Sequence, residues 1–121
     1  MLRFPDVLRK AQEEIDRVVG RDRLPNEDDE QSLPYIRALQ CELLRWRPVV
    51  PLVQPHLASQ DDEYEGYRIP KGALVWANLA AMSRNPETYP DPDQLKPERY
   101  LNPDGTFARK EEISIFGYGK R

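Results

Sequence analysis

Cysteine and histidine are almost absent from this sequence of 121 residues, which contains one of each. A single cysteine excludes a disulfide within the chain. One cysteine and one histidine also exclude a self-contained zinc site, which needs about four such ligands. Neither a disulfide nor a structural zinc ion therefore stabilises these residues from within the chain.

Long apolar runs and a basic excess are also missing. No stretch reaches the roughly 18 apolar residues of a spanning helix, and the opening residues MLRFPDVLRK lack the apolar run of a secretory signal. The net charge is −3 with both signs interspersed, whereas a nucleic-acid binder would show a basic stripe. These residues thus give no sign of a membrane span, a leader or a nucleic-acid surface.

What the sequence has in quantity is charge and proline. Charged residues make up 32% and hydrophobic residues 39%, so the core is thin for a chain of this length. There are twelve prolines, most of them between residues 48 and 103. We expect one small domain whose second half consists of turns and extended chain rather than long helices.

Apolar spacing predicts two helices. From Phe4 to Val19 apolar residues recur every three or four positions, which marks one face of a helix, with Glu13, Glu14 and Arg17 on or near its polar side. The polar, acidic stretch RDRLPNEDDEQS that follows reads as an exposed connection. A second helix is expected from about Leu33 to Trp46, capped by Ser32.

The rest is expected to be one hairpin and a long irregular tail. Tyr67 to Ile69 alternate before a Pro-Lys-Gly turn, and Ala73 to Ala77 continue as the second strand. A short helix through Ala80 to Arg84 follows, and then proline-punctuated coil. A tail of this length without regular structure is usually functional or disordered.

Glu42 and Arg45 form the first candidate constellation. Three helical residues separate them, so their side chains can meet on one face. Glu42 lies beside the apolar stripe, where burial is possible. The alternative is an ordinary surface ion pair that contributes little.

Three further candidates lie in the second half of the chain. Arg99 in KPERY could point inward toward a buried acid, or belong to a solvated turn. His56 lies on an extended segment, and a lone histidine is more often a packed or surface residue than a ligand. The terminal FGYGKR permits unusual backbone and close approach to a flat group, but it lacks the spacing of a phosphate-binding P-loop.

The order and spacing of these motifs are more specific than any one of them. Glu-x-x-Arg on a helix, Pro-x-x-Pro and then His, GYRIPKG, YPDPDQLKPERY and FGYGKR together resemble the C-terminal part of a cytochrome P450, a haem-thiolate monooxygenase. The resemblance covers nearly the whole chain and is strongest to fungal members. It implies that residues 1–121 are a partial cytochrome P450 domain, mainly α with a small β-hairpin or sheet.

The resemblance implies a structural triad. Glu42, Arg45 and Arg99 match three residues that form a buried charged cluster in the family and lock the irregular tail onto the helix. Two arginines can share one carboxylate through forked hydrogen bonds. Tyr100 stands where the family usually has Phe, so its hydroxyl needs a partner or water.

The resemblance also implies a haem site and a substrate pocket. Four residues, Phe116, Gly117, Gly119 and Arg121, match the start of the haem-binding loop, in which the iron-ligating cysteine would follow two positions beyond Arg121. His56 matches a residue that contacts a haem propionate, and Val49, Val50, Leu52 and Val53 match a pocket-lining segment. Cys41 is not expected to replace the axial cysteine, so no metal ligand and no catalytic residue is expected in the chain itself.

For the parent protein the resemblance implies haem b, an NADPH–cytochrome reductase, an organic substrate and a place on the cytoplasmic face of the endoplasmic reticulum membrane. The isolated chain is expected to bind no haem and to be inactive. Two alternatives are a small anion-binding module that uses the terminal loop and a short interaction protein that uses the acidic and proline-rich segments. Independent cooperative unfolding would favour either alternative.

Overall fold

The computed structural model describes residues 2–108. It contains three α-helices, α1 Pro5–Val18, α2 Pro34–Trp46 and α3 Leu79–Met82, and four short strands, β1 His56–Leu57, β2 Asp62–Tyr64, β3 Tyr67–Ile69 and β4 Leu74–Val75. One 3₁₀ segment, Glu27–Ser32, precedes α2, and another, Pro97–Tyr100, follows α3. The prediction of a mainly α fold with a small β component is confirmed.

The two long helices lie where the apolar spacing predicts them. Each has proline in its first turn, where a missing N–H costs nothing. The predicted cap is wrong, however: Ser32 ends a 3₁₀ segment, and Leu33, with no capping side chain, is the N-cap of α2. The polar-side placement of Glu14 is also wrong, because its side chain is only 7% exposed.

The predicted hairpin pairs the wrong strands. Strand β3 pairs with β2, with Tyr64 opposite Tyr67, because Glu65 and Gly66 both have positive φ, at 49° and 82°, the requirement of a tight two-residue hairpin turn. The Pro-Lys-Gly turn does form, with the Ala73 N–H donating to the Pro70 carbonyl at 3.0 Å. It leads into β4, which pairs with the distant β1.

The core lies between α1, α2 and the irregular segment that follows α3. Ala11 on α1, Tyr35 and Leu39 on α2, and Leu95 form one buried cluster. At its edge the rings of Phe4 and Trp46 meet edge to face, with centroids 5.3 Å apart. The proline-rich tail is therefore packed against the helices through residues 95–101.

Candidate functional site

Helix α2 places Glu42 and Arg45 side by side in the interior. Their side chains are 0% and 1% exposed. Arg45 donates through Nε to Glu42 Oε2 and through Nη2 to Glu42 Oε1, both at 2.8 Å. This is the planar two-bond pairing that guanidinium and carboxylate form best, so the surface ion-pair interpretation does not apply.

Arg99 approaches the same carboxylate from the 3₁₀ segment. Its Nε lies 3.4 Å from Glu42 Oε1, within ion-pair range, but that Nε is buried and makes no hydrogen bond to any described residue. Instead, Arg99 Nη2 donates to the Asp91 carbonyl at 2.8 Å. The structure thus brings all three residues together, with Arg45 alone forming a fork on Glu42.

Backbone groups that sequence reasoning missed complete the cluster. The Lys96 N–H donates to Glu42 Oε1 at 2.9 Å. Arg45 donates to the carbonyls of Ser83 at 2.9 Å and Gln94 at 3.3 Å. No sequence signal distinguishes these groups, since every residue has a carbonyl and nearly every residue an N–H.

Two tyrosines complete the wall of the cluster. The Tyr89 ring lies under the Arg45 guanidinium, 5.3 Å from centroid to Cζ, in the range of a cation–π contact. Tyr89 hydrogen-bonds Tyr100, which supplies the partner that the Tyr100 hydroxyl requires. Burial raises the pKa of both phenols, so neither is poised to exchange a proton near neutral pH.

We call Glu42, Arg45 and Arg99, with the backbone groups they contact, the Glu42 cluster. An arginine stays protonated at all ordinary pH values, and each Glu42 oxygen already accepts at least one hydrogen bond. Such a set can join chain segments, but it offers no free base or nucleophile. Its role is structural: it connects chain segments through hydrogen bonds and ion pairs in the interior.

Of the other predicted site residues, the structure describes those between Val49 and His56. His56 lies on β1 with an exposed side chain. Val49, Val50 and Leu52 are 89%, 49% and 43% exposed, whereas Val53 is buried at 4%. The predicted loop residues Phe116, Gly117, Gly119 and Arg121 lie outside the described residues.

Within residues 2–108, no group of three or more His, Cys, Asp or Glu side chains could hold a metal ion. No helix in that range is both long and apolar enough to cross a bilayer.

An open groove of about 490 Å³ lies at the N-terminal end of α2. Its lining includes Glu27, Glu30 and Arg37, and the Arg37 Nε lies 3.5 Å from Glu30. The guanidinium also lies 4.3 Å from the centre of the Phe107 ring. With its cation already paired and two carboxylates in its wall, the groove is poorly suited to an anion.

Comparison with known proteins gives a consistent result. The profile of the family described as Cytochrome P450 matches residues 1–121. The chain is 50% identical over 121 residues to Cytochrome P450 monooxygenase 105 of Postia placenta and 48% identical over 122 residues to Cytochrome P450 monooxygenase claR of Ampulloclitocybe clavipes. It is 50% identical over 126 residues to Cytochrome P450 monooxygenase COX2 of Coprinopsis cinerea. In each case the match covers 100% of this chain and 23% of the relative, so the chain spans about a quarter of the length of these relatives.

Proposed function

Because the chain belongs to the cytochrome P450 family, we propose that it is part of a haem-dependent monooxygenase that inserts one oxygen atom of O2 into an organic substrate. The single observation that carries the proposal is the buried Glu42 carboxylate. It forms an ion pair with Arg45 at 2.8 Å and lies 3.4 Å from Arg99. Electrons would come from an NADPH–cytochrome reductase, and the parent protein would lie on the cytoplasmic face of the endoplasmic reticulum. The chemistry would belong to the parent, since the Glu42 cluster, with both carboxylate oxygens already accepting hydrogen bonds, offers no free base or nucleophile.

The role of the Glu42 cluster in that protein is to hold the irregular segment in place. Residues 83–99 make little regular structure of their own, and they are joined to α2 through Arg45, Glu42 and the Lys96 N–H. Removing one member would leave a buried charge without its partner, a loss of about 3–5 kcal/mol. The cluster therefore determines the shape of whatever pocket this segment borders.

The described residues fit the edge of a haem rather than its iron. His56 is exposed on β1, and an imidazole N–H can donate to a carboxylate such as a propionate. Val49, Val50 and Leu52 precede it in sequence with exposed apolar side chains, which suit contact with a flat ring or an apolar substrate. When bound, the haem would supply oxygen activation, and the only thiol here, Cys41, lies on α2 beside Glu42.

The proposal is tested by haem spectroscopy. Residues 1–121 alone, mixed with haem, reduced and exposed to carbon monoxide, should give no red-shifted thiolate band and no turnover. The full-length parent should give both. A thiolate band from the isolated chain would mean that Cys41 reaches the iron, and the proposed place of the haem would be wrong.

Two variants of the parent connect that test to the cluster. Glu42→Gln should lose most of the thiolate band, because two arginines then face an uncharged amide in the interior. Glu63→Gln, which removes the same charge from an exposed position on β2, should retain it. Equal bands in the two variants would contradict the role given to the cluster.

A further inference from the structure

The Glu14 carboxylate on α1 is buried against the first turn of α2. Its Oε1 accepts the Tyr35 N–H at 3.1 Å, and its Oε2 accepts the Ile36 N–H at 2.9 Å. The first N–H groups of a helix have no partner within it and carry partial positive charge. Leu33, the N-cap residue of α2, offers no capping side chain, so Glu14 supplies the cap from another helix.

The residues next to Glu14 on α1 indicate that contact with α2, rather than an ion pair within α1, accounts for its burial. Within α1, the Arg17 Nη2 is 3.8 Å away on a side chain that is 69% exposed, a weak ion pair. Glu13, one position earlier, pairs with Arg9 while remaining 61% exposed. A buried carboxylate needs hydrogen bonds to offset lost hydration, and the two α2 donors provide them.

The cap lies two helical turns from the Glu42 cluster. Tyr35 and Glu42 are seven residues apart on one continuous helix, about two turns of 3.6 residues. At the other end of α2, Arg45 donates to the Ser83 carbonyl, and Trp46 Nε1 donates to the Asp93 carbonyl at 2.7 Å. The helix is thus fixed at both ends by hydrogen bonds to other segments.

We infer that Glu14 is a positioning residue for the Glu42 cluster: its carboxylate fixes the N-terminal end of α2 and so holds Glu42 and Arg45 in register with residues 83–99. The consequence for a haem pocket rests on the proposed function; the contacts themselves do not. Glu14 touches neither Glu42 nor Arg45 in this arrangement and would act through the helix.

The test is amide hydrogen exchange in the full-length protein that carries this segment, with three variants. Glu14→Gln retains the shape of the side chain but only one acceptor oxygen, Glu14→Asp retains both oxygens on a shorter stem, and Glu13→Gln removes a charge from the next, exposed position. Exchange is followed in peptides covering residues 34–40, 41–47 and 62–69. The last of these contains the β2–β3 hairpin and serves as the internal reference.

Glu14→Gln should speed exchange about tenfold in residues 34–40, the factor expected for losing a hydrogen bond to a charged acceptor. It should also speed exchange severalfold in residues 41–47, with residues 62–69 unchanged. Glu14→Asp should recover part of both effects, and Glu13→Gln should show neither.

Three results would overturn the inference. Unchanged exchange in residues 34–40 would mean that the cap does not protect α2. Faster exchange there alone would mean that Glu14 caps the helix without positioning the cluster. An equal rise in all three peptides would mean general destabilisation only. The carbon monoxide spectrum of the unsubstituted protein reports separately on the proposed function.

Discussion

The helical region and the strand region of this chain differ in which side chains they bury. Between α1, α2 and residues 95–101, charged groups are interior and hydrogen-bonded, and Ala38 and Leu39 are 0% and 6% exposed. In residues 49–76, large apolar side chains face outward, with Leu57 67% and Leu74 59% exposed. Hydrophobic residues along the sequence therefore do not show by themselves which segments are buried; in the structure, the buried segments are those whose polar groups are also hydrogen-bonded.

The largest expected effect comes from breaking the Glu42 cluster. Glu42→Ala leaves the Arg45 guanidinium, 1% exposed, without its counter-charge, and should lower the free energy of unfolding by about 3–5 kcal/mol. Urea denaturation of the full-length protein that carries this segment, followed by tryptophan fluorescence, measures this. Glu63→Ala, on exposed β2, is the matched control and should change little; a loss below about 1 kcal/mol for Glu42→Ala would remove the contrast between the regions.

A pair of identical leucine truncations sharpens the same comparison. Leu39→Ala, in the core of α2, should destabilise by about 2–5 kcal/mol through lost burial and the cavity left behind. Leu74→Ala on β4 should stay within about 0.5 kcal/mol. The shift in urea midpoint at constant slope is the measurement, and similar shifts for both leucines would contradict the exposed position of Leu74 on β4.

A smaller effect is expected at the start of α3, which follows the strand region. Asn78 Oδ1 accepts the Ala81 N–H at 3.0 Å, which makes it the N-cap side chain of α3. Asn78→Ala should cost about 1 kcal/mol, and Asn78→Asp should be nearly neutral. Thermal melting of the two variants is the measurement. A loss of stability in Asn78→Ala alone supports capping, whereas a loss in both variants would mean that the position tolerates no substitution.

The smallest effect concerns acid. Hydrogen bonding to Arg23, at 2.6 and 2.7 Å, lowers the pKa of Asp29 to about 2. Because the folded pKa lies below the ordinary value, the stabilisation is present above about pH 4 and is lost as pH falls toward 2. An NMR titration of the Asp29 carboxyl should show this pKa, and Arg23→Gln should return it toward the ordinary value; an ordinary pKa in the unsubstituted protein would contradict the contact.

The sequence predicted helix positions well because spacing reports directly on the face that a helix buries. The meeting of Glu42 and Arg45 followed from the same geometry. Both helices were found to within a residue or two of their ends. The cap of α2 was missed, since no pattern within α1 reveals that another helix begins against Glu14.

Strand pairing was less predictable. The stretch EYEGYRIPKG contains two glycine turns, and both form, at Gly66 and at Gly72. Either of them could have been the turn of the hairpin. The sequence marks where the chain turns, but the partner of β4 is β1, more than a dozen residues earlier. Such long-range pairing depends on packing rather than local residue choice.

The central claim is that one buried carboxylate holds an irregular segment on α2, and the exchange rate of the Lys96 amide tests it most directly. Lys96 lies outside regular structure, yet its N–H donates to Glu42 Oε1 at 2.9 Å. We predict slow exchange of this amide, comparable to the amides of α2, and rapid exchange in Glu42→Ala. Exchange as fast as that of the exposed Glu65 amide at the hairpin turn would contradict the account.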